Sequence, residues 1–464
     1  MKSNLLTATL ITAILVAPAT SLGATDADIA ELRRALQQVN QRLDALEQQN
    51  QSLKTQNDQL TAKNQELETK GKALEETNDR QTDALAQVSA RAKSVEWASR
   101  IAWKGDFRYR HENVDPEEAV NDQTRQRIRA RFGLTAKIND TISATLQLAT
   151  NAAPTGNNDP RSTNQTLGSG WDRKGIAVDL AYVDWAPANG LNIDLGKMPY
   201  PFQRVGTYFW DPDLTPEGGA VKYAHGAFFG SAFGYWLSEN ATMSDSNVFG
   251  AQIGMKGDVG PVKLTGAFMY YDLGAVQNEV VSIIAPSVAA PAICPAGQVN
   301  NTFFANNANG NTTRNFGDNC ARLVNDFEIW EVLGQAEFGL GNIPLVVFAN
   351  YGENSAADDL NNAWAAGFTI GRASNPRTWE FGYAYQKTEK DALFGQFVDS
   401  DFGGGLTDVD GSVFKFVYAP AKNWTLNGTY FLNNRFIDVP TTVNGVPRTN
   451  LDYDRYQIDF NVKF

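Results

Sequence analysis

Four things are scarce in this 464-residue chain, and their scarcity closes off whole classes of protein. Cysteine and histidine occur twice each, so no Cys/His spacing of a zinc site can be assembled. The histidines, His111 and His225, have no serine or cysteine nucleophile with an orienting carboxylate beside them. Enzymatic chemistry is therefore not expected, nor is a cofactor or a metal. Beyond the first residues, no apolar run approaches the roughly 20 residues that a membrane-spanning helix requires. Basic residues are also outnumbered, with 40 Lys and Arg against 52 Asp and Glu, and the formal charge of −12 argues against a nucleic-acid partner, whose phosphates need cations.

What is present begins with a leader. Lys2 precedes an apolar stretch from Leu5 to Ala17 and a small-residue segment around Ser21, Gly23 and Ala24, the layout of a cleavable secretory signal over residues 1–24. Both cysteines, Cys294 and Cys320, fall in one long irregular segment. In an oxidising compartment a disulfide closing that loop is expected over two free thiols. Residues 26–96 hold 13 acidic and 10 basic side chains, so most of the negative charge lies beyond them.

Two periodicities divide the exported chain. From Ile29 a heptad register runs for about ten repeats. Its d positions read Leu32, Val39, Leu46, Leu53, Leu60, Leu67 and Leu74, while asparagine takes the a positions at 50, 57, 64 and 78. Such spacing argues for a coiled coil over residues 25–96, the other reading being one amphipathic helix laid against the rest of the protein. Gly71 is its soft point. After Trp97 the pattern changes to strict alternation, clearest at the C-terminus, where Tyr456, Ile458, Phe460, Val462 and Phe464 take one face and Arg455 to Lys463 the other. A strand between lipid and water needs that alternation, although a soluble sandwich shares it.

Loop lengths discriminate. Short connections at 138–140, 187–190, 225–226, 257–260, 339–342, 374–377 and 420–423 interleave with long ones at 113–124, 152–174, 199–218, 239–246, 273–326, 352–360, 391–410 and 433–450. Seven short and eight long connections give sixteen strands, with both ends on the short-turn side. The fold predicted over residues 97–464 is an all-β, 16-stranded antiparallel transmembrane barrel preceded by the helical coiled coil. The turn at His225 carries the parity of the count. Trp185, Trp379 and Trp424 fall beside short turns, and Trp236, Trp330 and Trp364 near the opposite strand ends, as two interfacial girdles would. Short turns face the periplasm in such barrels, which places the helix there too.

Two segments could set pore chemistry. The second strand alternates Arg125, Arg127, Arg129 and Arg131 with other residues, and the first adds Arg108 and Arg110 in the same phase. Charges facing lipid are costly, so all six are placed in the lumen, either as a solvated wall or as a track for anions. The third long loop carries Pro199, Pro201, Pro212 and Pro216 with Tyr208, Trp210, Asp211, Asp213 and Glu217. It fits a rigid constriction folded inward opposite the arginines. Its acidic groups equally fit an external loop or a cation site.

These features together resemble the Putative porin family of Proteobacteria and, more distantly, the phosphate-selective porins. The most family-like stretches are Lys104 to Arg110, Gly196 to Phe202, Trp210 to Gly218 and Tyr456 to Phe464. The resemblance implies passive diffusion of small hydrophilic solutes, an outer-membrane location, trimeric assembly, and recognition of the strand ending in Phe464 by the barrel-assembly machinery. The lysine-rich ladder of the phosphate-selective relatives is not evident. A structural role, with the helix linking barrel to envelope, is the competing reading.

Overall fold

The computed structural model describes residues 25–94, 96–151, 159–239, 244–283, 308–315 and 320–464; the predicted signal segment and Cys294 lie outside them. The chain divides into two units, Met1–Glu96 and Trp97–Phe464. In the first, a single 69-residue helix, α1 (Asp26–Ser94), runs without interruption through Gly71. The Asp28 carboxylate accepts hydrogen bonds from the Thr25 backbone N–H and hydroxyl, tying down the first turn. Leu32, Leu46, Leu60 and Leu74 of the heptad seam are exposed, leaving an apolar stripe along one face. Neither this helix nor any other described one is long and apolar enough to cross a membrane, which says nothing of strands.

The second unit is a closed barrel of sixteen strands. In order they are β1 (Ile101–Pro116), β2 (Gln123–Lys137), β3 (Ile142–Asn151), β4 (Gly175–Ala188), β5 (Leu191–Lys197), β6 (Glu217–His225), β7 (Phe228–Ser238) and β8 (Ser246–Val259). They continue as β9 (Val262–Gly274), β10 (Phe327–Leu340), β11 (Ile343–Asn354), β12 (Asn362–Gly371), β13 (Thr378–Thr388), β14 (Val409–Ala421), β15 (Trp424–Arg435) and β16 (Leu451–Lys463). Each pairs antiparallel with its neighbours in sequence. β16 returns to β1, with Asp106 opposite Lys463 and Pro116 opposite Tyr453, so no edge is left open.

Alternation along each strand explains the closure. On β16, Arg455, Gln457 and Asp459 are buried while Tyr456, Ile458 and Phe460 are exposed, the inverse of a water-soluble core. Exposed apolar side chains recur on the outer face, among them Phe132, Leu146, Val221, Phe249, Phe268 and Phe416. This is what a wall facing hydrocarbon outside and polar groups inside requires. The seven short turns fall where loop lengths predict, including the parity-setting one between His225 and Phe228. At Gly190 the backbone takes φ +77°, and a Cβ there would meet the Ala224 carbonyl oxygen at 2.1 Å, so only glycine fits this turn.

Candidate functional site: the inner wall and the loops against it

The inward row of β1 and β2 is built by register. Asp106 stands opposite Arg131, Arg108 opposite Arg129, Arg110 opposite Arg127 and Glu112 opposite Arg125. A period of two puts every one of these side chains on the polar face. The six predicted arginines thus share one wall, but they are not a bare track, because carboxylates meet five of them. Asp106 accepts from Arg129 at 3.0 Å and Arg131 at 2.7 Å. Glu112, completely buried, sits 2.7 Å from Arg125 and 3.3 Å from Arg127. Arg110 grips Asp459 of β16 through two N–H groups, at 2.7 and 2.9 Å. Arg455 of β16, absent from the sequence-based set, donates to Glu112 at 2.6 Å.

Loop three, between β5 and β6, presses its aromatic half against polar-face side chains from several strands. The Tyr208 backbone N–H donates to Gln386 on β13 at 2.9 Å, and Trp210 Nε1 donates to Glu331 on β10 at 2.8 Å. Asp213 pairs with Arg129 at 3.3 Å and Arg131 at 3.6 Å. The Trp210 ring is nearly covered and meets Tyr200, Phe202, Tyr271 and Phe397 at centroid distances of 4.9 to 5.4 Å. Asp211 is buried too, its carboxylate accepting from the N–H groups of Asp213 and Ser400, both at 2.8 Å. Burial, then the charges of Asp399 and Asp213, push its carboxyl well above the usual range.

Glu217 corrects the expectation for this loop. It is not part of the loop but the first residue of β6, because the chain re-enters the ladder there opposite Lys197. Its exposed carboxylate pairs with the Lys197 ammonium at 2.9 Å. Among the described residues no group of three His, Cys, Asp or Glu could hold a metal ion.

Sequence reasoning missed loop seven, residues 389–408. Leu393, Phe394, Phe397, Val398 and Phe402 are buried, and Phe397 stacks on Trp210 with an interplanar angle of 19°. Phe402 stacks on Tyr208 at 5.5 Å. Asp401 bonds Arg110 at 2.9 Å, Arg455 at 2.6 Å and Gln457 at 2.9 Å. Burial raises Asp401, but Arg455 and Arg110 outweigh it and hold the carboxyl well below the usual range. Two residues back, burial and the charge of Asp401 push Asp399 up to about 7, although it accepts bonds from the N–H groups of Asp401 and Phe402. The readable signal was composition: Phe394, Phe397 and Phe402 are costly in a loop surrounded by water.

A cavity of about 510 Å³ adjoins loop three, lined by Arg204, Tyr208, Phe348, Glu380, Tyr383 and Lys415. His111 lies outside this region, its Nδ1 bonded to Gln126 and its ring beside Tyr456, while His225 ends β6. Phe464 exchanges two backbone hydrogen bonds of 3.0 Å with Gly105, and its largely exposed ring lies 6.4 Å from Phe132. Cys320 is fully buried at the start of a short strand, Cys320–Leu323, within the fifth long loop. Its expected disulfide partner, Cys294, lies outside the described residues, among which no cysteine is free.

Among solved structures, the chain is similar to OprB of Pseudomonas putida at high pH (14% identity, 80% of this chain and 96% of that one, TM-score 0.49). It is also similar to a loop L8 deletion mutant of OmpT, an outer membrane protein of Vibrio cholerae (11% identity, 79% and 100% covered, TM-score 0.44). A third is the outer membrane channel DcaP of Acinetobacter baumannii (12% identity, 78% and 97% covered, TM-score 0.42). No curated protein matches the sequence. The family model described as "Putative porin" matches residues 113–340 and 309–464, nearly the whole barrel and well over half the chain, and the chain belongs to that family.

Proposed function

We propose that this outer-membrane porin is a passive diffusion channel for small hydrophilic solutes and ions, narrowed where loops three and seven meet across its lumen. The inverted barrel carries this reading: sixteen closed strands with apolar side chains exposed outside and charged ones buried inside describe a water-compatible passage through lipid. Loop three supports the narrowing, since its anchors Gln386, Glu331 and Arg129 stand on β13, β10 and β2. Cys294 and Cys320 would brace the fifth loop, and Phe464 would present the final strand to the assembly machinery.

The helix would stand in the periplasm and join copies of the chain. In a parallel, in-register coiled coil, Asp28 faces Arg33 of a second copy, Arg42 faces Glu47, Lys63 faces Glu68, and Lys70 faces Glu75, so the four charged pairs that flank the seam within α1 attract. The apolar stripe exposed along α1 is what such a partner would cover. A tether to the envelope has no comparable support.

Conductance across a planar bilayer tests the channel itself. Purified, heat-modifiable barrel is expected to give stable current steps in potassium chloride. A folded barrel that never conducts would overturn the reading and leave a structural role.

A further inference from the structure

The wall formed by β1, β2 and β16 does not balance its charges. The six arginines of β1 and β2, with Arg455, meet five carboxylates: Asp106, Glu112, Asp213, Asp401 and Asp459. Asp211 and Asp399, on loops three and seven, are buried and held toward their neutral forms. The locus of the excess is Arg108, which alone among these seven makes no ion pair with any described residue. Its Nη2 donates to Asn164 Oδ1, and its Nε is closed off from solvent and meets no acceptor among the described residues.

The neighbours sharpen this. Arg129 stands directly across the ladder from Arg108, and Arg110 follows it on the same face. The carboxylates in reach are already taken, Asp459 by Arg110 and Asp213 by Arg129 and Arg131. A guanidinium flanked by two others, with hydrogen-bonding capacity unused, is stabilised by an acceptor of negative charge.

We propose that Arg108 forms an anion subsite in the lumen, where a small inorganic anion such as chloride docks against its guanidinium, and that the channel passes anions in preference to cations. This deepens the diffusion-channel reading and rests on it. The chain's net charge of −12 does not decide the matter, because loop charges are screened beyond about 10 Å in ordinary salt. The direct ion pairs between Asp213 and the arginines also collapse the transverse field that an unpaired acidic loop would create.

The test is the reversal potential of single channels across a potassium chloride gradient, for the wild type, Arg108→Gln and Arg108→Lys. Glutamine keeps a donor toward Asn164 without the charge; lysine keeps the charge. The wild type is expected to be anion-selective, the glutamine variant to lose roughly threefold in chloride-over-potassium permeability, and the lysine variant to retain it. A cation-selective wild type, or a folded Arg108→Gln channel with unchanged selectivity, would refute the subsite while leaving the channel intact. Absence of any conductance from folded wild type would instead remove the channel reading and the subsite with it.

Discussion

Replacing Trp210 by alanine isolates the loop from the barrel. The indole is 5% exposed, touches four rings and donates at 2.8 Å to a buried carboxylate, yet takes no part in the strand ladder. Truncating a buried tryptophan costs about 3–5 kcal/mol. Glu331 would lose one donor but keep Tyr271 at 3.1 Å and Asn350 at 3.5 Å, so the further cost stays near the low end of about 1–3 kcal/mol. Because the ladder is untouched, this energy falls on the equilibrium between seated and released loop, and a loss of about 4 kcal/mol raises the released fraction roughly a thousandfold. Single-channel recording should show larger, noisier steps, and liposome swelling should admit sugars excluded by the wild type. Trp236→Ala, on the exposed outer face, serves as the control and should change neither. If folded Trp210→Ala matches the wild type in step size and solute cutoff, loop three does not narrow the pore.

Other perturbations address separate parts. Arg110→Ala leaves Asp459 and part of the Asp401 charge unpaired beside β1, and should cost about 3–5 kcal/mol, read as a lower midpoint of heat- or urea-induced barrel unfolding. Asp399, raised to about 7, stabilises the loop contact fully below the ordinary aspartate value of 3.8 and loses that contribution as pH climbs through about 7. Asp401, lowered, acts in the opposite sense and loses its ion pairs only in strong acid. Channel noise should therefore rise between about pH 5 and about pH 8, and Asp399→Asn should flatten the profile; an unaltered profile in that variant would contradict this account. Reversing Glu47, Glu68 and Glu75 to lysine should dissociate the oligomer on native gels, and adding Arg42→Glu, Lys63→Glu and Lys70→Glu should restore it.

The barrel was readable because its physics is local. Alternation of Tyr456, Ile458 and Phe460 with Arg455, Gln457 and Asp459 needs only a period of two, and short turns such as Pro187 to Gly190 carry their own backbone chemistry. The phase of the arginines followed from the same rule. The partners of Arg110 did not, because they lie far away in sequence, at Asp401 and Asp459, and only barrel closure brings them together, whereas Asp106 and Glu112 meet the β2 arginines across one hairpin. Loop seven was passed over for a related reason: without strand periodicity its aromatic residues read as loop filler, and their target, the ring of Trp210, stands in a different loop. Glu217 shows the limit of reading boundaries from composition, since an acidic residue after Pro216 fits a loop tip as well as a strand start.

The grip of Arg110 on Asp459 joins the first strand of the barrel to the last. No earlier stretch of the chain supplies that carboxylate, so in a barrel whose synthesis stops before β16 Arg110 lacks its two-pronged partner and stands beside an open edge. Asp401 can reach Arg110 sooner, but Arg455 and Gln457, its other partners, arrive only with the same final strand. Completion of the wall thus also adds the last polar anchors of loop seven, whose ring contacts with Trp210 and Tyr208 need no part of β16. An unfinished chain is left unsealed, with the unpaired backbone groups of β1 exposed as a strand edge.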